Sequence, residues 1–337
     1  MSTGPNLPPR QRKPRTARAL VSLLVVLLLG VAAYFYGGMA VDAAKASAFT
    51  PTAQLSAAEQ RIAFTGRGQQ IFYATAPAIQ NKEQFNASCQ STERTAAILG
   101  CYFKDRIYLY NIQNSELDGT LEVTAAHEML HAAYHRLNYF ERKAIDAQLE
   151  QQYQAIKDQP EISQLMQYYK ESEPGAELDE LHSIIGTTIS DISPELEQYY
   201  ARYFTDRAAI VALNAKYTAV FSDLSRQADE LQKQIDTEAP ALKEVMATYE
   251  TDLDQLNLDI ESFNVRARGG GFSSQGEFSV ALAALQQRIS TMNTRQSDLN
   301  TRITNYNNTV AALNKIAVHV NTLNESINGV SAPSGVE

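Results

Sequence analysis

His127 and His131 sit four residues apart in the stretch TAAHEMLHAAYHR, with Glu128 directly after the first of them. On an α-helix a four-residue step brings side chains to one face, so the two imidazoles can converge on a single metal ion. Glu128, one step round the helix, then reaches a water at the ion's open position and can act as its base. The chain holds only 5 histidines in 337 residues, and His135 adds another to this run at the same spacing. An isolated helical histidine is usually just a polar face. Here the intervening glutamate and the flanking Ala125, Ala126, Ala132 and Ala133 favour a buried, oriented pair, because small side chains let other backbone pack close. His135 lies about 80° round from His127 at 100° per residue, which places it beside the site or in solvent rather than among the ligands.

A catalytic zinc takes three protein ligands and keeps one position open. A third histidine ten residues after the first is excluded, because that position is Leu137. The other common solution is a glutamate from a later helix, and GAELDELHSIIGTT offers Glu177 and Glu180 one turn apart, with His182 as a further donor. With these two segments the chain resembles the gluzincin branch of the zincin metallopeptidases, the thermolysin-like architecture. There the third ligand stands in an Asn-Glu-x-x-Ser-Asp helix followed by glycine. Asp179-Glu180-Leu181-His182-Ser183-Ile184-Ile185-Gly186 matches at Glu180 and Ser183, has its glycine one residue early, and carries Ile184 where the family has the aspartate that orients a ligand histidine.

The resemblance covers residues 65–205 and implies Zn²⁺ held by His127, His131 and Glu180. It implies a peptide or protein substrate, metal-activated water, and Glu128 as the general base that later hands the proton to the leaving amine. Support for a ligand histidine must come from elsewhere, with Asp179 and Asp191 as candidates. The oxyanion donor would be a tyrosine or histidine, with Tyr199, Tyr200, Tyr203 and His182 available, although helix packing is the plainer reading of those tyrosines. The RIYLYNI segment would be the sheet edge along which an extended substrate pairs.

The elements that must position these residues are mostly helical. Ser56 to Glu59 has the pattern of a capping box, opening a short helix that ends near Gly66. QQIFYATAP (69–77) and RIYLYNI (106–112) read as strands from their Ile, Tyr and Phe content. The motif helix spans 122–137, Asn138 with Glu141 caps the next, others cover 160–172 and 176–186, and Ser193-Pro194 starts a further one. The expected fold class is therefore α+β, a predominantly helical zincin-like domain over 56–205 with a small sheet. Beyond it, residues 206–328 carry two apolar seams at alternating four- and three-residue steps. One runs from Leu224 to Phe263 and the other from Phe278 to Ile327. That is the pattern of a coiled coil, and the glycine-rich turn at 268–276 folds it into an antiparallel hairpin pairing Phe263 with Phe278. Pro240 is expected to kink the first arm, and the tail 329–337 to be disordered.

The N-terminal residues 1–18 carry Arg10, Arg12, Lys13, Arg15 and Arg18 without an acid, whereas the whole chain has a net charge of −9. An acidic body excludes nucleic-acid binding through counterion release. Residues 19–36 are uncharged, so 19–38 is expected to be a transmembrane signal anchor behind a cytoplasmic basic tail, with 39–55 as a tether. A cleaved signal peptide ending at Gly38-Met39-Ala40 is the alternative. Either way the bulk of the chain is expected outside the cytoplasm, and Cys89 with Cys101 is expected to form a disulfide there. The reading is thus a single-pass cell-membrane zinc peptidase whose hairpin docks a protein partner or self-associates. The alternative is a non-catalytic membrane-tethered scaffold with a structural or degenerate metal site.

Overall fold

The computed structural model describes residues 15–89, 99–172 and 174–327. The expected disordered tail at 329–337 and residues 1–14 of the basic segment lie outside them. Two compact units are present, one comprising residues 1–217 with 326–337 and the other residues 218–325.

The first unit opens with α1 (Arg15–Ala48), α2 (Ala53–Ile62) and α3 (Gly66–Ala74), followed by β1 (Ala78–Gln80), α4 (Lys82–Cys89), β2 (Gly100–Phe103) and β3 (Arg106–Tyr110). After a 3-10 turn (Ser115–Leu117) come α5 (Thr120–His135), α6 (Tyr139–Ile156), α7 (Pro160–Ser172), α8 (Glu177–Thr188) and α9 (Pro194–Tyr200). The sheet order is β1-β3-β2, with β1 parallel and β2 antiparallel to β3.

Two expectations are corrected here. The α+β class gives way to a mainly helical chain: the described residues form eleven α-helices and a 3-10 turn against three strands of at most 5 residues. The main reason is QQIFYATAP, expected as a strand but folded into α3. Thr65 caps that helix by accepting from the Gly68 amide, and Gly68, Ile71, Phe72 and Thr75 then bury one helical stripe. Tertiary burial at period 3.6 overrides the strand preference of Ile, Phe and Tyr. The capping residue of α2 is also Thr52 rather than Ser56.

The second correction concerns the single-pass anchor at 19–38 and the cell-membrane localisation built on it. Among the described residues no helix is long and apolar enough to cross a membrane. Nor does α1 end where a span would hand over to a tether. It continues through Gly37 and Gly38 to Ala48, and its last turns dock on the domain through charged groups. Buried Asp42 accepts from Arg136 Nε at 3.0 Å and from Arg67 at 3.1 Å, and Lys45 pairs with Asp105 at 2.6 Å.

The core gathers around α5, which buries Val123, Ala125, Ala126, Met129, Leu130, Ala132 and Ala133. A helix covered on so many sides needs close neighbours, and glycines supply the room. A Cβ on Gly186 of α8 would stand 2.4 Å from Leu130 Cδ1 of α5; a separate close approach, of α3 to the Tyr203 carbonyl, would meet a Cβ on Gly68 at 2.3 Å. Asn138 and Glu141 form the expected capping box on α6, and Ser193 caps α9 with Pro194 in its first turn. The expected disulfide joins Cys89 to Cys101, tying the end of α4 to β2.

The long helices α10 (Arg207–Arg268) and α11 (Gln275–Ile327) supply the second unit. Antiparallel pairing is fixed by Phe263 against Phe278 at 5.4 Å, with Phe272 of the turn packed on both. Arg288–Asp259, Arg295–Asp252 and Arg302–Glu238 bridge the arms. Leu242, Leu256, Met292 and Leu299 of the expected seams are buried, and so is Leu323, which those seams leave out. Helix α10 runs on through Pro240.

Candidate metal centre

His127 and His131 leave α5 on the face toward α8, and Glu180 enters from the first turn of α8. The Nε2 atoms of the two histidines are 3.1 Å apart. Glu180 places Oε2 at 3.7 Å from His127 Nε2 and Oε1 at 3.6 Å from His131 Nε2. Zinc–ligand bonds of about 2.1 Å at tetrahedral angles set donor atoms roughly 3.4 Å apart. The histidine pair lies close to that value, and each imidazole is 3.6–3.7 Å from a different oxygen of Glu180, so the carboxylate spans the pair. The donor set of two imidazoles and a carboxylate suits zinc. Glu180 Oε2 is also buried without a hydrogen-bond partner, a costly state that an ion would relieve. The residues fit the metal that the sequence implies.

Asp179 completes the arrangement. Its Oδ1 lies 2.9 Å from His131 Nδ1 and its Oδ2 lies 2.9 Å from His135 Nε2. By accepting the Nδ1 proton it turns Nε2 of His131 toward the other two donors, the usual task of a carboxylate behind a metal-binding histidine. Of the two candidates for this role Asp179 fills it, whereas exposed Asp191 offers its backbone carbonyl to Gln152. His135 is half-exposed and stands one partner away from the donors. Glu177 turns back to accept from the Gly175 amide at 2.8 Å, so Glu180 is the glutamate brought to the two histidines.

The charges follow from this packing. Burial lowers the His127 imidazole. Burial would lower His131 too, but the Glu180, Asp179 and Glu128 carboxylates outweigh it and raise that group to about 10. As an imidazolium His131 donates at both nitrogens, from Nδ1 to Asp179 and from Nε2 to the neutral His127. Burial opposes ionisation of Asp179 and Glu180, yet the adjacent imidazoles hold both below the ordinary carboxylate range.

Glu128 is buried and lines the same cavity of about 790 Å³ as His127, His131 and Glu180. Its position depends on β2: a Cβ on Gly100 would approach Glu128 Oε1 to 2.8 Å and Thr124 Cγ2 to 2.5 Å. That glycine is one determinant the sequence reading missed, and nothing local marks it except its place before Cys101. Arg142 and Tyr134 are two more cavity-lining residues that were not foreseen.

The expected oxyanion donors go elsewhere. Tyr200 donates to the His182 carbonyl at 2.7 Å, Tyr199 bonds His182 Nε2 at 2.9 Å, and Tyr203 is buried beside them. Burial lowers His182 to about 3, and none of these four lines the cavity. The RIYLYNI strand is likewise corrected: β3 is the central strand, and it is β2 that stands at the sheet edge with Gly100, Cys101 and Tyr102 in the cavity wall. Comparison with protein families, with curated proteins and with solved structures returns no match for this chain.

Proposed function

We propose that this protein is a zinc-dependent peptidase of gluzincin type, with His127, His131 and Glu180 as metal ligands and Glu128 as general base. The observation that carries the reading is the convergence of the three donor atoms within 4.8 Å of one another, in a cavity that Glu128 also lines. When bound, the ion would polarise the scissile carbonyl and lower the pKa of water. Glu128 would take the proton of the attacking water and return it to the leaving amine. Asp179 would keep His131 in the tautomer that presents Nε2. Among the described residues β2 is an edge strand and contributes Gly100, Cys101 and Tyr102 to the cavity wall, a position that suits pairing with an extended peptide and so supports a peptide as substrate. A purely structural site would gain nothing from a further buried carboxylate lining the cavity beside the three ligands.

The test compares Glu128 protein with Glu128→Gln on a broad peptide panel after loading with zinc. Cleavage by the first, and its loss by about two orders of magnitude or more in the second at unchanged zinc content, is the expected result. Zinc-loaded Glu128 protein that cleaves nothing would contradict the reading.

A further inference from the structure

Among the described residues the cavity wall carries four acidic residues, Glu128, Glu177, Asp179 and Glu180, and a single Lys or Arg side chain, Arg142 of α6. Arg142 is held from behind. One terminal nitrogen donates to the Tyr134 carbonyl at 2.9 Å, and the guanidinium stacks on the Tyr134 ring at 4.7 Å. Its Nε is buried without a hydrogen-bond partner, and among the described residues no carboxylate forms an ion pair with it. The nearest candidate one turn along α6, Asp146, accepts from the Tyr134 hydroxyl instead. A guanidinium fixed by stacking, with an N–H left unsatisfied, is organised for a planar anionic partner. Tyr134 stands three residues beyond His131 on α5, less than one turn along the same helix, so the cation flanks the metal donors. Repulsion from the acids is already reduced on that side, since Asp179 faces two imidazoles and Glu177 caps a backbone amide.

Resting on the peptidase reading above, we propose that Arg142 recognises a carboxylate of the peptide substrate, close in sequence to the bond that is cut. The carboxylate comes either from the peptide's C-terminus or from an Asp or Glu side chain. Arg142 is in this account a specificity-determining residue and takes no part in the proton transfers of Glu128.

The test measures binding, so that it stands apart from turnover. The full chain carrying Glu128→Gln is loaded with zinc and equilibrated with N-acetylated peptide mixtures. These are made as free acids, as C-terminal amides containing Asp and Glu, and as amides lacking both. Retained peptides are quantified by mass spectrometry. At least one carboxylate-bearing mixture should be retained about tenfold or more over the amides without acids, the range of a charge-assisted hydrogen bond. Whether the free acids or the Asp- and Glu-containing amides are preferred identifies the source. Adding Arg142→Gln should remove the preference while zinc content stays at one per chain. If that variant does not fold, Arg142→Lys, which keeps the charge but not the Nε donor, should weaken the preference at unchanged zinc content. Equal retention of all mixtures would overturn the proposal, as would a preference that survives Arg142→Gln or is undiminished in Arg142→Lys. Selective retention without any cleavage by the Glu128 protein would uphold Arg142 and remove the peptidase reading. Cleavage without carboxylate preference would do the reverse.

Discussion

Asp179 bonds His131 with one oxygen and meets His135 with the other, so a single carboxylate governs how one proposed ligand presents itself. Replacing it by asparagine keeps the volume but removes the charge behind the imidazole. Zinc affinity is expected to fall about 10- to 100-fold, as for other carboxylates behind metal-binding histidines, and chelator competition will measure it. An unchanged affinity would mean that Asp179 only fills space. The protonation of the pair gives a second outcome. In metal-free protein His131 is raised to about 10 from an ordinary 6.5. A group raised in this way adds stability that is complete below pH 6.5 and is lost as pH climbs through 10. His127, lowered by burial, is neutral in folded and unfolded chains over most of that window and does not offset the loss. The melting temperature of EDTA-treated protein is therefore expected to drop between pH 6.5 and 10. Zinc, which needs deprotonated ligands, should reverse the trend. A flat metal-free profile would contradict this charge distribution.

At the scale of elements, the site is a matter of how closely β2 and α8 approach α5. Gly100 leaves no room for a side chain beside Glu128 and Thr124. Gly100→Ala should therefore cost about 1–3 kcal/mol in denaturant unfolding and displace the base, with zinc content retained. Wild-type stability and activity in that variant would show that β2 does not set Glu128. These contacts explain what the sequence revealed and what it hid. The histidine pair and its glutamate were legible because helical spacing alone sets them on one helix, whereas Glu180, on a separate helix, was reached only through the family resemblance. The cap at Asn138 and the Ser193-Pro194 start were legible from local sequence, and the disulfide from the pair of cysteines in a chain expected outside the cytoplasm. The strand expected at 69–77 was not a strand, because burial of Ile71 and Phe72 on α3 decided it. The sheet edge was misassigned to β3, because strand order is set by β1 returning beside β3 across α4 and β2. Arg142 was invisible because its role depends on α6 lying along Tyr134. The apolar run at 19–36 was read as a membrane span, whereas α1 continues past it and docks through Asp42.

At the scale of the whole molecule, the three proposed ligands and the described cavity-lining residues belong to the unit of residues 1–217, while residues 218–325 of the helical hairpin form a unit of their own. The arms are joined by exposed ion pairs and a thin seam, each pair contributing under about 1 kcal/mol. Removing residues 256–285 and closing the arms with a short glycine linker should therefore leave zinc stoichiometry as it was. Loss of zinc on that deletion would show that the site depends on the hairpin. The most direct test of the account is metal analysis of the purified full chain beside His131→Ala and Glu180→Ala. One zinc per chain, lost in both variants, is the predicted result; a chain without zinc, or variants that keep it, would contradict the metal centre on which the proposed function stands.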